Sequence, residues 1–299
     1  MRRWSPTCLL LAVAVLALAP PGAASAKRTP TRYYLALGDS LSQGQQPDLL
    51  GVTRNTTQGY ADDLLAREHA GIPSLRLGKL GCGGESTGSM LTGHGNEAGA
   101  RRFHCHPAGG SQLSAAVRFL RAHHRRGEVP LVTIDIGAND VDPCITATNL
   151  AACLTKGLLA IKLNTLEILR ALRRAAPAGT RLAGMTLYDP VLGAYFSPAG
   201  SASHALALAS PALLKSVNDE LIGADMGAGF RTADVAGAFA SYSTQATAWE
   251  GQTIPLNVAR VCSWTWACQT PPSGPNIHAN KNGYHVIANA FAKVLGRLR

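Results

Sequence analysis

No apolar run in this 299-residue sequence reaches the roughly 20 residues that a membrane-spanning helix needs; the longest, Leu9–Ala19, has 11. No Cys-x-x-Cys pair occurs. Its absence argues against a zinc site even though His104 and His106 flank Cys105, because thiols in an oxidising compartment are drawn into disulfides. No RNP-like stretch, zinc-finger spacing or internal repeat is visible, so the sequence lends no support to nucleic-acid binding or to a repeat architecture. Metal and cofactor are not expected.

What is present at the start has the order of a secretory leader: Arg2 and Arg3, the run CLLLAVAVLALA, then Ala24-Ser25-Ala26. Cleavage after Ala26 is expected. Cys8 lacks the small-residue context of a lipid-modified cysteine, so the sequence predicts a secreted or extracytoplasmic protein released from the membrane. Residues 27–299 then make one domain with ample length for a core. Without the leader the chain carries 26 basic against 18 acidic residues. That balance is compatible with transient association with anionic lipid or the cell envelope. The basic residues are nevertheless spread along the chain, mostly where helices show solvated faces, and a monomer is expected.

Six of the seven cysteines lie beyond the leader, an even number in an exported chain, which makes disulfides the default. Their clustering makes local pairing the simplest choice: Cys82–Cys105, Cys144–Cys153 and Cys262–Cys268. Each pair would staple a loop.

Hydrophobic pattern and breakers alternate strands with helices. Strands are predicted at Tyr33–Leu37, Leu75–Leu80, Leu131–Ile136, Arg181–Leu187 and Phe230–Val235. Helices are predicted at Gly59–Glu68, Gln112–His124, Leu158–Ala175, Pro211–Gly223 and about Asn280–Leu298. Continuous apolar strands separated by helices imply a mainly parallel five-stranded sheet in a three-layer α/β/α domain. Two long stretches, Gly83–Gly110 and Ala236–Pro275, fit no element. In the second, Trp249, Trp264 and Trp266 either form one wall of a pocket or pack the loop onto the body.

In an open parallel sheet the ligand crevice lies beyond the carboxyl ends of the strands. There the first strand delivers Ser40, the second is followed by the glycine-rich LGCGGEST, and the third by IDIGAND with the Asn139 amide. PNIHANKNGYHVIA places His278 just ahead of the last helix. A serine, backbone and side-chain oxyanion donors and a histidine are the groups that acyl transfer requires.

These blocks resemble those of the SGNH hydrolases, the GDSL esterase/lipase family, in its secreted bacterial form. GDSLSQG matches the nucleophile block, GCGGEST the glycine block, GAND the Gly-x-Asn-Asp block and IHANKNGY the histidine block, in family order over residues 34–284. The resemblance implies a flavodoxin-like SGNH fold over residues 27–299 and a serine esterase or lipase working through an acyl-enzyme. It makes Ser40 the nucleophile and His278 its general base, with Ser40 N–H, Gly84 N–H and the Asn139 side chain as oxyanion hole. A small-molecule or lipid ester is the implied substrate. Asp39 and Asp140 read as turn or capping residues.

One position departs from the family pattern. Three residues before His278, where the family has an aspartate, stands Pro275, with Asn276 two before. The resemblance allows a Ser-His dyad in which a backbone carbonyl near Pro275 or the Asn276 side chain orients the imidazole. Asp189 and Asp234, near predicted strand ends, are the carboxylates that could otherwise take the role. The alternative from another class is a catalytically weak, envelope-associated binding protein that retains the fold.

Overall fold

The computed structural model describes Met1 and residues 30–105 and 110–298; the expected leader with Cys8, and His106, lie outside them. Five apolar segments form the central strands: Arg32–Gly38 (β1), Leu75–Lys79 (β2), Leu131–Asp135 (β3), Arg181–Met185 (β4) and Arg231–Ala233 (β5). They pair in the order β2-β1-β3-β4-β5, parallel at every step. This is the doubly wound order whose strand sequence reverses beside β1, the place where such sheets bind ligands.

Alternation along β1 sends Tyr34 and Ala36 into one core and Leu35 and Leu37 into another, on opposite faces of the sheet. Helices Tyr60–His69 (α1), Gln112–Ala122 (α2), Leu150–Ala175 (α3), Ala202–Ala228 (α4) and Lys281–Leu295 (α5) cover those faces. On the first face α1 meets α5, with the Tyr60 and Phe291 rings stacked at 5.0 Å. On the second, Ala116 and Leu120 of α2 join Ile168 and Leu172 of α3.

Two helices start earlier than the hydrophobic pattern predicts. The first turn of α3 is set by Asn149, whose side chain accepts from Ala152 N–H at 3.0 Å, and that of α4 by Ser201, which accepts from His204 N–H at 3.2 Å. Pro211 therefore sits inside α4 instead of opening it. The two stretches read as loops also hold short elements: helices Thr87–Thr92 and Glu97–Phe103 in the first, and in the second a hairpin of Ala246–Trp249 with Gln252–Pro255 followed by a helix at Leu256–Trp264. Trp264 and Phe239 form a T-shaped pair at 5.2 Å, and the Arg260 guanidinium lies 4.4 Å over the Trp264 ring. It packs the segment onto the body.

The cysteines pair as Cys82–Cys105, Cys144–Cys153 and Cys262–Cys268, with Cα–Cα distances of 5.6, 5.5 and 5.0 Å. All three ties lie outside the strands, in segments that follow or cover their carboxyl ends. A reductant should therefore disturb the ligand rim before the sheet. Loss of a ligand-site signal ahead of far-ultraviolet dichroism during titration with dithiothreitol is the expected order; simultaneous loss would mean that the bridges hold the whole fold. No helix among the described residues is long and apolar enough to cross a membrane.

Candidate active site

The site begins with the end of β1. Gly38 has φ +118°, and a Cβ there would lie 1.6 Å from the Asp135 carbonyl oxygen, so only glycine lets the chain turn while still packed against β3. Gln112 clamps this glycine, accepting from its N–H at 2.7 Å and donating to its carbonyl at 2.8 Å. The turn that follows lifts Ser40 to the rim, where it remains 8% exposed.

Beneath Ser40 lies a pair of buried carboxyls. Asp39 Oδ1 accepts from Leu41 N–H at 3.0 Å and from Ser40 Oγ at 3.4 Å. Asp135 Oδ2 accepts from the backbone N–H groups of Asp39 and Ser42 at 3.1 and 3.3 Å, and its Oδ1 accepts from the Tyr60 hydroxyl. Burial pushes the Asp39 carboxyl up to about 6. Burial, and then the neighbouring Asp39 charge, hold Asp135 well above the usual carboxylate range. Asp135 thus braces the serine turn through the backbone N–H groups of Asp39 and Ser42.

The end of β3 contributes a second turn. Gly137, at φ +115°, opens a helical turn over Ala138–Val141. Asn139 Nδ2 donates to the Glu85 carbonyl at 3.0 Å and to Asp39 Oδ2 at 3.4 Å, which ties the third strand end to the glycine loop after β2. In that loop Gly84 has φ +81°, and a Cβ there would meet Asn96 Oδ1 at 2.9 Å. Asp140 accepts from Thr87 N–H at 2.9 Å and from the Thr87 hydroxyl at 2.7 Å. It caps a neighbouring helix from outside, in keeping with a capping role.

His278 lies in the short strand Asn276–Ala279, just ahead of α5. Asn276 Oδ1 is 3.0 Å from the His278 backbone N and 2.6 Å from ring Nδ1. A backbone N–H can only donate, so the atom facing it is the amide oxygen, and Nδ1 carries the ring proton. Nε2 is left with its lone pair. The Asn276 amide is held in turn by a hydrogen bond from its Nδ2 to Thr53 Oγ1 at 3.2 Å. Burial pushes the imidazole down to about 4, so the ring is neutral at ordinary pH.

Neither distant aspartate takes part in this hold. Asp189 accepts from the Ser210 hydroxyl at 2.7 Å and from Val191 N–H at 3.1 Å, and burial pushes it up to about 6. Asp234 accepts from Gly237 N–H at 2.8 Å as a helix cap.

Ser40, Asn139 and His278 line one cavity of about 120 Å³. Gly84 is outside its lining and joins through the Asn139–Glu85 link. Sequence reasoning missed the far wall, which comes from the first turns of α3 and the middle of α4: Leu150, Leu154, Leu206, Leu213, Leu214 and Val217. Cys144 also lines it, so the Cys144–Cys153 bridge holds this wall in place. The tryptophans are not part of it. The available signal was apolar residues at the start of α3 and along α4, which looks the same whether the side chains face a core or a cleft. Asp142 also lines the cavity, with Asp39 and Asp189; withdrawal from water, then the nearby Asp39, Asp140 and Asp189, push it up to about 7. Among the described residues no group of three or more His, Cys, Asp or Glu is placed to hold a metal ion.

A serine at the end of the first strand of a β2-β1-β3-β4-β5 sheet, with donors from the next two strand ends and a histidine ahead of the last helix, is the arrangement of SGNH-type ester hydrolases. The family model of the GDSL-like Lipase/Acylhydrolase family matches residues 36–286, and the chain belongs to that family. Solved structures similar in fold include an extracellular lipase from Streptomyces rimosus, 19% identical, covering 88% of this chain and 100% of that one with a TM-score of 0.53. A phospholipase A1 from Streptomyces albidoflavus NA297 is 15% identical, with 88% and 99% of the two chains covered and a TM-score of 0.53. LAE5, a hydrolase from the metagenome of Lake Arreo, is 19% identical over 90% and 97%, with a TM-score of 0.50. No curated protein sequence matches the chain.

Proposed function

We propose that this protein is a secreted serine esterase that cleaves carboxylic esters of apolar acyl chains through an acyl-enzyme on Ser40. The observation that carries the reading is the single cavity in which Ser40, Asn139 and His278 meet a wall of leucines. His278 Nε2 takes the proton as Ser40 Oγ adds to the ester carbonyl. Ser40 N–H, Gly84 N–H and Asn139 Nδ2, which exchanges its long 3.4 Å hydrogen bond to Asp39 Oδ2 for the substrate oxygen, hold the oxyanion. The carbon–oxygen bond to the alcohol then breaks, the proton passes from Nε2 to the departing alkoxide, and water attacks the acyl-enzyme by the same route in reverse. Asn276 Oδ1 accepts from Nδ1–H and fixes the tautomer that leaves Nε2 its lone pair, the task that a carboxylate performs in a triad. The lipase and phospholipase among the structural relatives are consistent with acyl substrates. The leader and three disulfides support export.

A panel of p-nitrophenyl esters from acetate to palmitate, with phospholipid alongside, tests the substrate class. A rise in kcat/KM with chain length through the medium chains is expected. Preference for acetate, falling steadily with length, would overturn the acyl-chain part.

The same panel read against pH and variants tests the base. The base works neutral, and burial lowers its pKa to about 4; kcat/KM should therefore rise through about pH 4 and level off above it. For long chains KM should climb above about pH 7 as Asp142 ionises inside the apolar cavity. Asn276→Ala should lower kcat only about fivefold, since a neutral hydrogen bond contributes about 1 kcal/mol. Asp189→Asn should leave kcat within about twofold, because this carboxyl does not touch the imidazole. Collapse of activity in a folded Asp189→Asn variant would replace the Ser-His dyad by a triad.

A further inference from the structure

Beside the histidine strand stands a small hairpin, Gln46–Pro47 paired antiparallel with Thr53–Arg54. Its tip, Asp48-Leu49-Leu50-Gly51-Val52, presents apolar side chains to solvent: Leu49 is 90% exposed, Leu50 79% and Val52 39%. Two adjacent leucines turned outward in this way are unlike the singly scattered apolar residues of an ordinary surface.

The tip is built to remain folded while its leucines stay unburied. Asp48 N–H donates to the Val52 carbonyl at 3.0 Å and Gly51 N–H to the Asp48 carbonyl at 2.9 Å. Asp48 Oδ1 accepts from the N–H groups of Leu50 and Val52, each at 2.9 Å, and Oδ2 accepts from Arg54 Nε at 2.6 Å. Four of the tip's backbone donors are thus satisfied inside the loop, and its carboxylate is paired. With four of its five N–H groups satisfied internally, the loop loses little hydrogen bonding to water when it is brought against lipid. The loop is also braced from behind. Gly51 has φ +78°, and a Cβ there would lie 2.0 Å from the Pro272 carbonyl oxygen, so the tip rests against the segment that leads into the histidine strand.

Charge and position name the occupant. Arg54 flanks the tip, and Arg102 donates to the Thr53 carbonyl at 3.3 Å with Arg101 next to it in sequence, all three exposed. Exposed leucines beside the Arg102 guanidinium match a lipid surface with anionic headgroups, Arg54 being paired with Asp48. The hairpin reaches the site through the Thr53–Asn276 hydrogen bond described above. Ile277, 44% exposed, lies between Asn276 and the base and lines the cavity. The tip and the cavity are thus joined through Thr53, Asn276 and Ile277.

We infer that the Leu49–Leu50 hairpin tip is an anchoring site for anionic phospholipid surfaces, holding the cavity mouth against the membrane. The inference rests on the ester-hydrolase reading only for its purpose, and its test requires no turnover. The exported protein, carrying Ser40→Ala so that lipid stays intact, is sedimented with vesicles of phosphatidylglycerol and, separately, of phosphatidylcholine. Binding to phosphatidylglycerol is expected. It should fall at least about tenfold in Leu49→Asp/Leu50→Asp and about fivefold in Arg102→Gln, and be weaker on phosphatidylcholine. With Ser40 restored, Leu49→Asp/Leu50→Asp should hydrolyse soluble p-nitrophenyl butyrate at the parent rate, which shows that the fold is intact. Equal sedimentation of parent and leucine variant would overturn the inference. So would a concentration-dependent dimer abolished by the leucine substitutions without vesicle binding, which would make a second copy of the chain the occupant. Failure of the ester reading would show instead as inactivity of the Ser40 parent on the soluble ester, whatever the vesicles do.

Discussion

Ser40→Ala is expected to lower kcat by about 10⁴–10⁶-fold while leaving the protein folded. The substitution removes one hydroxyl whose contact is a 3.4 Å hydrogen bond to Asp39 Oδ1, and no packed apolar group is lost. Stability should stay within about 1 kcal/mol of the parent. The catalytic effect is large because the other groups act only on an ester that the serine has attacked: the base then has no proton to take, and the donors no oxyanion to hold. A fluorophosphonate probe should label the parent at residue 40 and leave the variant unmodified. Unchanged ester turnover by the purified variant would remove Ser40 from the mechanism, and with it the acyl-enzyme.

Asn139→Ala is expected to cost about 10²–10³ in kcat with little change in KM, as the loss of one oxyanion donor does. The charge that the amide addresses develops only in the transition state, so ground-state binding should hardly notice its removal. The variant also loses the 3.0 Å hydrogen bond to the Glu85 carbonyl, which adds a stability loss of about 1 kcal/mol. Measuring kcat and KM alongside the urea midpoint separates these effects. A raised KM with normal kcat would make Asn139 a substrate-binding group.

Much of this site was legible in the sequence because its signals are local. An apolar run ended by Gly38 marks a strand with a turn at its end, and three of the four blocks sit directly at such ends, where a parallel sheet puts its crevice. The cysteine pairs are local too, separated by 23, 9 and 6 residues. What orients His278 was narrowed to a short choice, because a missing aspartate can be seen but its substitute cannot. Asn276 lies two residues away; what fixes its amide is Thr53, 223 residues distant in the chain.

The composition of each strand, the glycines that turn the chain and the serine, asparagine and histidine at the rim were determined by the sequence alone, since each follows from the chemistry of a few neighbouring residues. The tertiary structure decided the rest. It turned the leucines of α3 and α4 toward a cleft, placed Asp142 among them, set Asp135 under Ser40 as a brace, and stood two leucines outward on a hairpin beside the His278 strand. Those outcomes depend on which faces meet when distant segments pack. A periodic pattern states that a face is apolar; only packing determines whether that face meets a core, a ligand or a membrane.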